Sequence, residues 1–333
     1  MKYVCKAHPN IALIKYWGKL NEAEITPING SLSVTLDFGE TETFAEFSDI
    51  DSFMLNGKPA EITNRLKYAL DFFRKYTEGE KYFRVSSKNN FPTAAGFASS
   101  ASGSAAFVGA LASLVGQTSN PIEFWEKKGI NLSVIARHVS GSGCRSIYGG
   151  FVEWIPGYNH NSISKELFNC EHWKEFCAFS VVLRKESKKV SSTKGMQQTC
   201  KTVPWMKWRA ENVVPNRIKD AIKFIKDKDF EKLAPIIMQE SNELHANCAA
   251  TFPPIHYLND DSYEIINEIH QLNDSQGKYV AAYSFDAGPN PFIFTTTPYV
   301  ELIRKSLANL SCVNPDKITL SYQSTGIKSQ NVE

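Results

Sequence analysis

NNFPTAAGFASSASGSAAF, residues 89–107, runs almost wholly on Gly, Ala and Ser after its opening Asn-Asn-Phe-Pro. Side chains this small let a ligand approach the backbone. Where such a run enters a helix, the free N–H groups and the macrodipole favour an anion. Tight packing of a buried helix selects the same residues, so the stretch alone leaves both readings open. It is neither a Walker A loop, since G-x-x-x-x-G-K-[ST] is absent, nor a dinucleotide fingerprint, since G-x-G-x-x-G is absent. Two common phosphate-binding folds are thereby disfavoured.

Working outward, strand-like runs with β-branched and aromatic alternation appear at SLSVTLDF (31–38), ETFAEF (42–47), YFRVSS (82–87) and GGFVEW (149–154). Between them, Ile62, Leu66, Ala69, Leu70 and Phe73 fall on one helical face, and 99–116 reads as a buried helix of small residues. The second half opens on FCAFSVVL (176–183) and continues with helical patterns near 215–226, 229–247 and 262–272, the last ended by Gly277. Pro235 is expected to kink or divide its segment. Strands at 278–285 and 292–297, joined by a Gly-Pro-Asn turn, and a helix from Pro298 complete an α+β pattern. Two lobes are expected, 1–180 and 181–333.

A chain of 333 residues supports a core without disulfide or metal. Its net charge of +2 provides no global field for nucleic acid, so an anionic ligand must be held locally. Seven scattered cysteines, odd in number and without C-x-x-C, suit a reducing, cytoplasmic setting. No apolar run is long enough for a bilayer span, and neither export nor membrane association is expected.

Other constellations carry candidate chemistry. NIALIKYWGK (10–19) sets Lys15, Tyr16, Trp17 and Lys19 beside an apolar run, which reads either as a half-buried cationic site or as an ordinary strand with snorkelling lysines. SGSGCRS (140–146) bares its backbone at glycines and offers Arg145 to a carboxylate, or is simply a turn before a strand. KKVSSTKGM (188–196) adds the hydroxyls of Ser191 and Ser192, although a basic surface turn has the same composition. SFDAGPN (284–290) ends a strand on Asp286, a candidate general base or a local backbone cap. No H-E-x-x-H and no G-x-S-x-G occurs, which disfavours a zinc hydrolase and a serine nucleophile.

The 89–107 stretch resembles the P-x-x-x-G-[LF]-x-S-S-[AS] loop of the GHMP kinase superfamily, whose backbone wraps ATP phosphates. Pro92, Gly96, Phe97, Ser99 and Ser100 stand at its places. Together with NIALIKYWGK, SGSGCRS-x-x-GG, VSSTKGM, FPPIHYLND and FDAGPN, in that order, the chain resembles the mevalonate diphosphate decarboxylases along nearly its whole length. The resemblance implies a GHMP kinase fold of class α+β. Its N-terminal lobe is like ribosomal-protein-S5-domain-2 and its C-terminal lobe is ferredoxin-like, packed around one active-site cleft.

It also implies ATP-dependent decarboxylation of mevalonate 5-diphosphate to isopentenyl diphosphate, with ATP, Mg²⁺ and a homodimer. Asp286 matches the residue near the 3-hydroxyl, Lys15 the cation paired with it, and Arg145 the contact to the substrate carboxylate. Asn10, Tyr16, Lys19, Ser140, Gly141, Ser191 and Ser192 match substrate-contacting places, while Pro92, Ala95, Gly96, Ala98, Ser99 and Ser100 match the ATP loop. No protein-built metal cage is implied.

Three departures bear on the substrate pocket. The family's P-T-N-S-S-[IL]-S is Pro27-Ile28-Asn29-Gly30-Ser31-Leu32-Ser33 here, a common Lys-Gly is His138-Val139, and the usual alanine before the cysteine is Gly143. A phosphomevalonate decarboxylase, a mevalonate 3-kinase and a non-catalytic ligand-binding descendant are the alternatives.

Overall fold

The computed structural model describes residues 1–90, 99–183 and 190–332. A six-stranded sheet runs, edge to edge, through Lys328–Asn331, Lys2–Ala7, Thr41–Ser48, Tyr82–Asn89, Ser52–Leu55 and Lys58–Pro59. The strand Thr41–Ser48 alternates buried and half-buried residues along most of its length, the period-two signature of a sheet with one face on a core. Against this sheet lies the helix Ser99–Gly116, at the bounds the sequence suggests. Its small residues serve packing there: a Cβ on Gly109 would run into the Cys5 thiol of the first strand.

A second, wholly antiparallel sheet orders Ser164–Phe168, Phe151–Trp154, Ser31–Thr35 and Asn10–Ile14. Asn10–Ile14 and Ser31–Thr35 are buried at every position, because both faces of the sheet are covered. Ile11, Leu13, Ile14, Leu32 and Val34 share a core with the second lobe. That lobe has its own antiparallel sheet, Ala282–Phe285, Pro291–Thr296, Phe176–Val181 and Ile318–Tyr322, backed by the helices Val214–Asp227, Phe230–Ala249, Asp260–Gln276 and Val300–Ala308.

One expectation is narrowed. Pro235 does not divide its segment, which runs as one helix, Phe230–Ala249. The proline sits near the N-terminus, where it removes one backbone bond, while Leu233, Ala234, Ile237 and Met238 around it are buried and hold the turn in place. Residue 180 falls inside the strand Phe176–Val181, which pairs with Pro291–Thr296 and Ile318–Tyr322, and the last strand, Lys328–Asn331, returns to pair with Lys2–Ala7.

Candidate active site

Lys15 follows the strand Asn10–Ile14, whose register with Ser31–Thr35 shifts between Ala12 and Ile14. Asp286 follows Ala282–Phe285 in the other lobe and enters a tight turn in which the Gly288 N–H donates to the Asp286 carbonyl at 2.7 Å. The two meet across the lobes, Lys15 Nζ to Asp286 Oδ1 at 2.7 Å. The lysine side chain is 2% exposed and the carboxylate 39%, so the cation is sunk and the acid faces the cleft. That burial decides against a snorkelling lysine on an ordinary strand.

Arg145 is fixed beside this pair. It lies in the 3₁₀ segment Gly141–Ile147, is 3% exposed, and donates Nε–H to Asn10 Oδ1 at 3.0 Å and Nη1–H to the Ser31 hydroxyl. Asn10 is itself held by the Ser142 carbonyl at 2.9 Å and the Ser146 hydroxyl at 2.8 Å. The guanidinium also stands 5.8 Å from the Trp154 ring, on which Tyr16 packs at 4.6 Å. Burial pulls the Arg145 guanidinium below its ordinary value, against the fields of Cys144, Asp286 and Tyr16. It remains a cation, with donors suited to a carboxylate.

The Tyr16 hydroxyl is buried without a hydrogen-bond partner, and burial raises its pKa. A Cβ at Gly141 would lie 2.8 Å from that hydroxyl, so glycine keeps the approach to it open. Ser140 closes the helix Leu132–Val139 immediately before. Lys19 pairs with Glu22 at 2.6 Å and is not aimed alone at the cleft. Ser191 caps the helix Ser192–Thr202, accepting from the Lys194 N–H at 3.3 Å. This helix rests on Trp17, whose indole N–H donates to Thr199 Oγ1 at 3.1 Å, and a Cβ at Gly195 would meet the Trp17 ring at 3.0 Å. Ser99 and Ser100 open the helix Ser99–Gly116, with Ser100 exposed. Pro92, Ala95, Gly96 and Ala98 lie outside the described residues.

Three residues of the helix Phe230–Ala249 carry no motif and were not singled out from sequence. The Lys15 N–H donates to Glu240 Oε2 at 2.9 Å, and the Phe285 N–H to Ser241 Oγ at 2.9 Å. One turn on, His245 lines a cavity of about 300 Å³ with Ile255, Tyr257 and Tyr263. Burial and the Lys15 cation lower its pKa to about 3, against Asp286 and the Phe285 backbone.

Packing accounts for the departures from the family pattern. A Cβ at Gly30 would stand 2.9 Å from Ile218 Cδ1 and 3.3 Å from the Trp154 carbonyl, so the missing serine has its space filled by isoleucine. A Cβ at Gly143 would collide with Ser104, whose hydroxyl donates to the Ala136 carbonyl at 2.7 Å. His138, in place of a lysine, is buried, stacks on Tyr68 at 4.0 Å and lies beside Arg137.

Comparison with known proteins places this geometry. Residues 7–165 match the family model described as diphosphomevalonate decarboxylase-like N-terminal domain, and 178–332 match the mevalonate 5-diphosphate decarboxylase C-terminal domain. A diphosphomevalonate decarboxylase of Rattus norvegicus is 40% identical over 96% of this chain and 83% of its own, and one of Schizosaccharomyces pombe is 39% identical over 92% and 82%. Among solved structures, mevalonate diphosphate decarboxylase from Trypanosoma brucei superposes with a TM-score of 0.86 at 33% identity, covering 99% of this chain and 98% of that one. A structure titled MDDEF in complex with MVAPP, AMPPCP and magnesium does so with a TM-score of 0.86 at 32% identity, covering 100% and 99%.

Two α+β lobes closed on a lysine–aspartate pair thus define a protein of the GHMP kinase superfamily. Within it, the chain belongs to the mevalonate diphosphate decarboxylase family.

Proposed function

We propose that this protein converts mevalonate 5-diphosphate, with ATP and Mg²⁺, into isopentenyl diphosphate, ADP, phosphate and CO₂. The observation that carries the reading is the buried Lys15 held 2.7 Å from Asp286, with Arg145 fixed beside them by Asn10. A tertiary hydroxyl is a poor leaving group until ATP phosphorylates it. The electrons of the breaking bond to the carboxylate then fill the new double bond as phosphate departs. No electron-sink cofactor is required.

In this scheme Asp286 orients the 3-hydroxyl and takes its proton at a carboxylate oxygen, while Lys15 aims that carboxylate and balances its charge. Arg145 holds the substrate carboxylate with parallel N–H donors. Tyr16, Lys19, Ser140, Gly141, Ser191 and Ser192 line the diphosphate end, where the unpartnered Tyr16 hydroxyl gains an acceptor. Lys19 exchanges Glu22 for phosphate there. ATP suits the other side: Ser100 is exposed at the start of an 18-residue helix, whose first-turn N–H groups lack intrahelical partners and favour an anion. Pro92, Ala95, Gly96, Ala98 and Ser99 complete that ATP loop in this reading. Mg²⁺ is bound through the hard oxygens of the nucleotide phosphates, and catalysis rests on positioning and charge.

The lobes of this scheme comprise residues up to about 175, joined by the final strand, and the remainder. No helix among the described residues is long and apolar enough to cross a membrane; a cytoplasmic homodimer without nucleic-acid contacts completes the reading. Purified protein given ATP, Mg²⁺ and either mevalonate 5-diphosphate or the 5-phosphate is expected to release CO₂ and ADP in equal amounts with the diphosphate. Exclusive use of the monophosphate, or ADP without CO₂, would refute it.

A further inference from the structure

We propose that Glu240 is a positioning residue that sets the Lys15–Asp286 contact, an inference that rests on the decarboxylase reading only for the turnover used to measure it. Asn10–Ile14 is the edge strand of its sheet, and the peptide that follows has no further strand to pair with. Glu240 serves that peptide instead. Its Oε2 accepts the Lys15 N–H at 2.9 Å, while Asn29 Nδ2–H donates to the Lys15 carbonyl at 3.1 Å. The lysine backbone is therefore held on both sides.

Glu240 has no solvent exposure, and a buried carboxylate is costly unless paired. Arg209 Nη2 at 2.7 Å and Arg217 Nη1 at 2.6 Å both point at its Oε1, leaving Oε2 for the amide. The next residue, Ser241, accepts the N–H of Phe285, immediately before Asp286, at 2.9 Å. Consecutive residues of one helix thus hold the backbone of Lys15 and that of the residue before Asp286, and the separation of the pair does not depend on the flexible lysine stem alone. Glutamine cannot replace the carboxylate here. Its NH₂ would face either the Lys15 N–H or the arginines, all of them donors.

Glu243 provides the control, because it pairs with the same arginines and no hydrogen bond joins it to Lys15. In the full-length protein, Glu240→Gln is expected to lower kcat at least tenfold with KM for both substrates within twofold, whereas Glu243→Gln keeps kcat within twofold. Should Glu240→Gln fail to fold, the variant Arg209→Met, Arg217→Met, Glu240→Leu, Glu243→Gln removes all four charges of the cluster together and is expected to fold with the same loss of kcat. Activity of Glu240→Gln or the fourfold variant within twofold of the parent, equal losses in both glutamine variants, or a loss confined to KM would overturn the proposal.

If the parent protein releases no CO₂, the decarboxylase reading fails, and hydrogen exchange of the Lys15 amide still tests the contact. Its protection should fall in Glu240→Gln and persist in Glu243→Gln. Unchanged protection in both would overturn it.

Discussion

Lysine rarely stays out of water without a partner, and Lys15 does so because Asp286 meets its ammonium at 2.7 Å. The buried cation is costly without its partner. Asp286→Ala removes the carboxylate from the cleft and leaves a buried cation. We expect kcat to fall by about a hundredfold or more, as for loss of an aligned proton-accepting group, with ATP affinity changed little in calorimetric titration. A variant that turns over like the parent would deny Asp286 its role. Arg145→Lys keeps a charge but loses the planar fork and the Nε bond to Asn10. Steady-state kinetics should show kcat/KM for the acid substrate lower by about tenfold to a hundredfold, the scale of a lost charge-assisted contact; an unchanged value would free Arg145 from substrate binding.

At the scale of elements, the helix Leu132–Val139 and the turn after it join packing to pH response. His138 is buried against Tyr68, and burial followed by the Arg137 cation lowers its pKa to about 4 from 6.5. Below about pH 6.5 the unfolded chain binds a proton that the folded state refuses, so stability is full above that pH and is lost as pH falls toward about 4. His245 behaves alike, down to about 3. Between pH 7.5 and 5 each costs about 2 kcal/mol, and urea unfolding of His138→Gln should show a correspondingly shallower acid loss. An identical pH dependence in that variant would contradict the assignment. Gly143→Ala should destabilise by about 1–3 kcal/mol, the range for overpacking, and Ser104→Ala in the same chain should relieve part of that loss. Additive effects in a double-mutant cycle would show that the two do not touch. The helix 99–116 was legible in sequence because nothing interrupts its small and apolar run, and the site motifs were legible because Lys15, Arg145 and Asp286 each sit in a compact local pattern. Glu240 was not: its bond to Lys15 spans 225 positions, and in sequence it is one polar residue of an amphipathic helix. Ser192–Thr202 was hidden by its polar composition, and Gly30 and Gly143 show their reasons only in the neighbours that crowd them.

Over the whole molecule, the first strand links the two ends of the chain. Lys328–Asn331 is short, polar and mostly exposed, with no alternation to announce it, yet it pairs with Lys2–Ala7 and completes that edge of the six-stranded sheet. The Ile327 N–H donates to the Ile147 carbonyl at 3.1 Å, and Val332 N–H to the Lys2 carbonyl at 2.8 Å. Deleting 326–333 should lower stability by about 2–4 kcal/mol, for lost ladder bonds and apolar cover, and should promote aggregation through the bared edge; thermal unfolding and light scattering would detect both, and an unaltered unfolding temperature would show the strand to be dispensable. The two lobes matter because each supplies half of a lysine–aspartate contact that only their packing creates. The most direct test of that union is the stoichiometry of CO₂ and ADP released from mevalonate 5-diphosphate and ATP with Mg²⁺ by the parent protein and by Asp286→Ala. The predicted result is one CO₂ per ADP from the parent and loss of both from the variant. ADP formation without CO₂ by the parent, or equal CO₂ release by the two proteins, would contradict it.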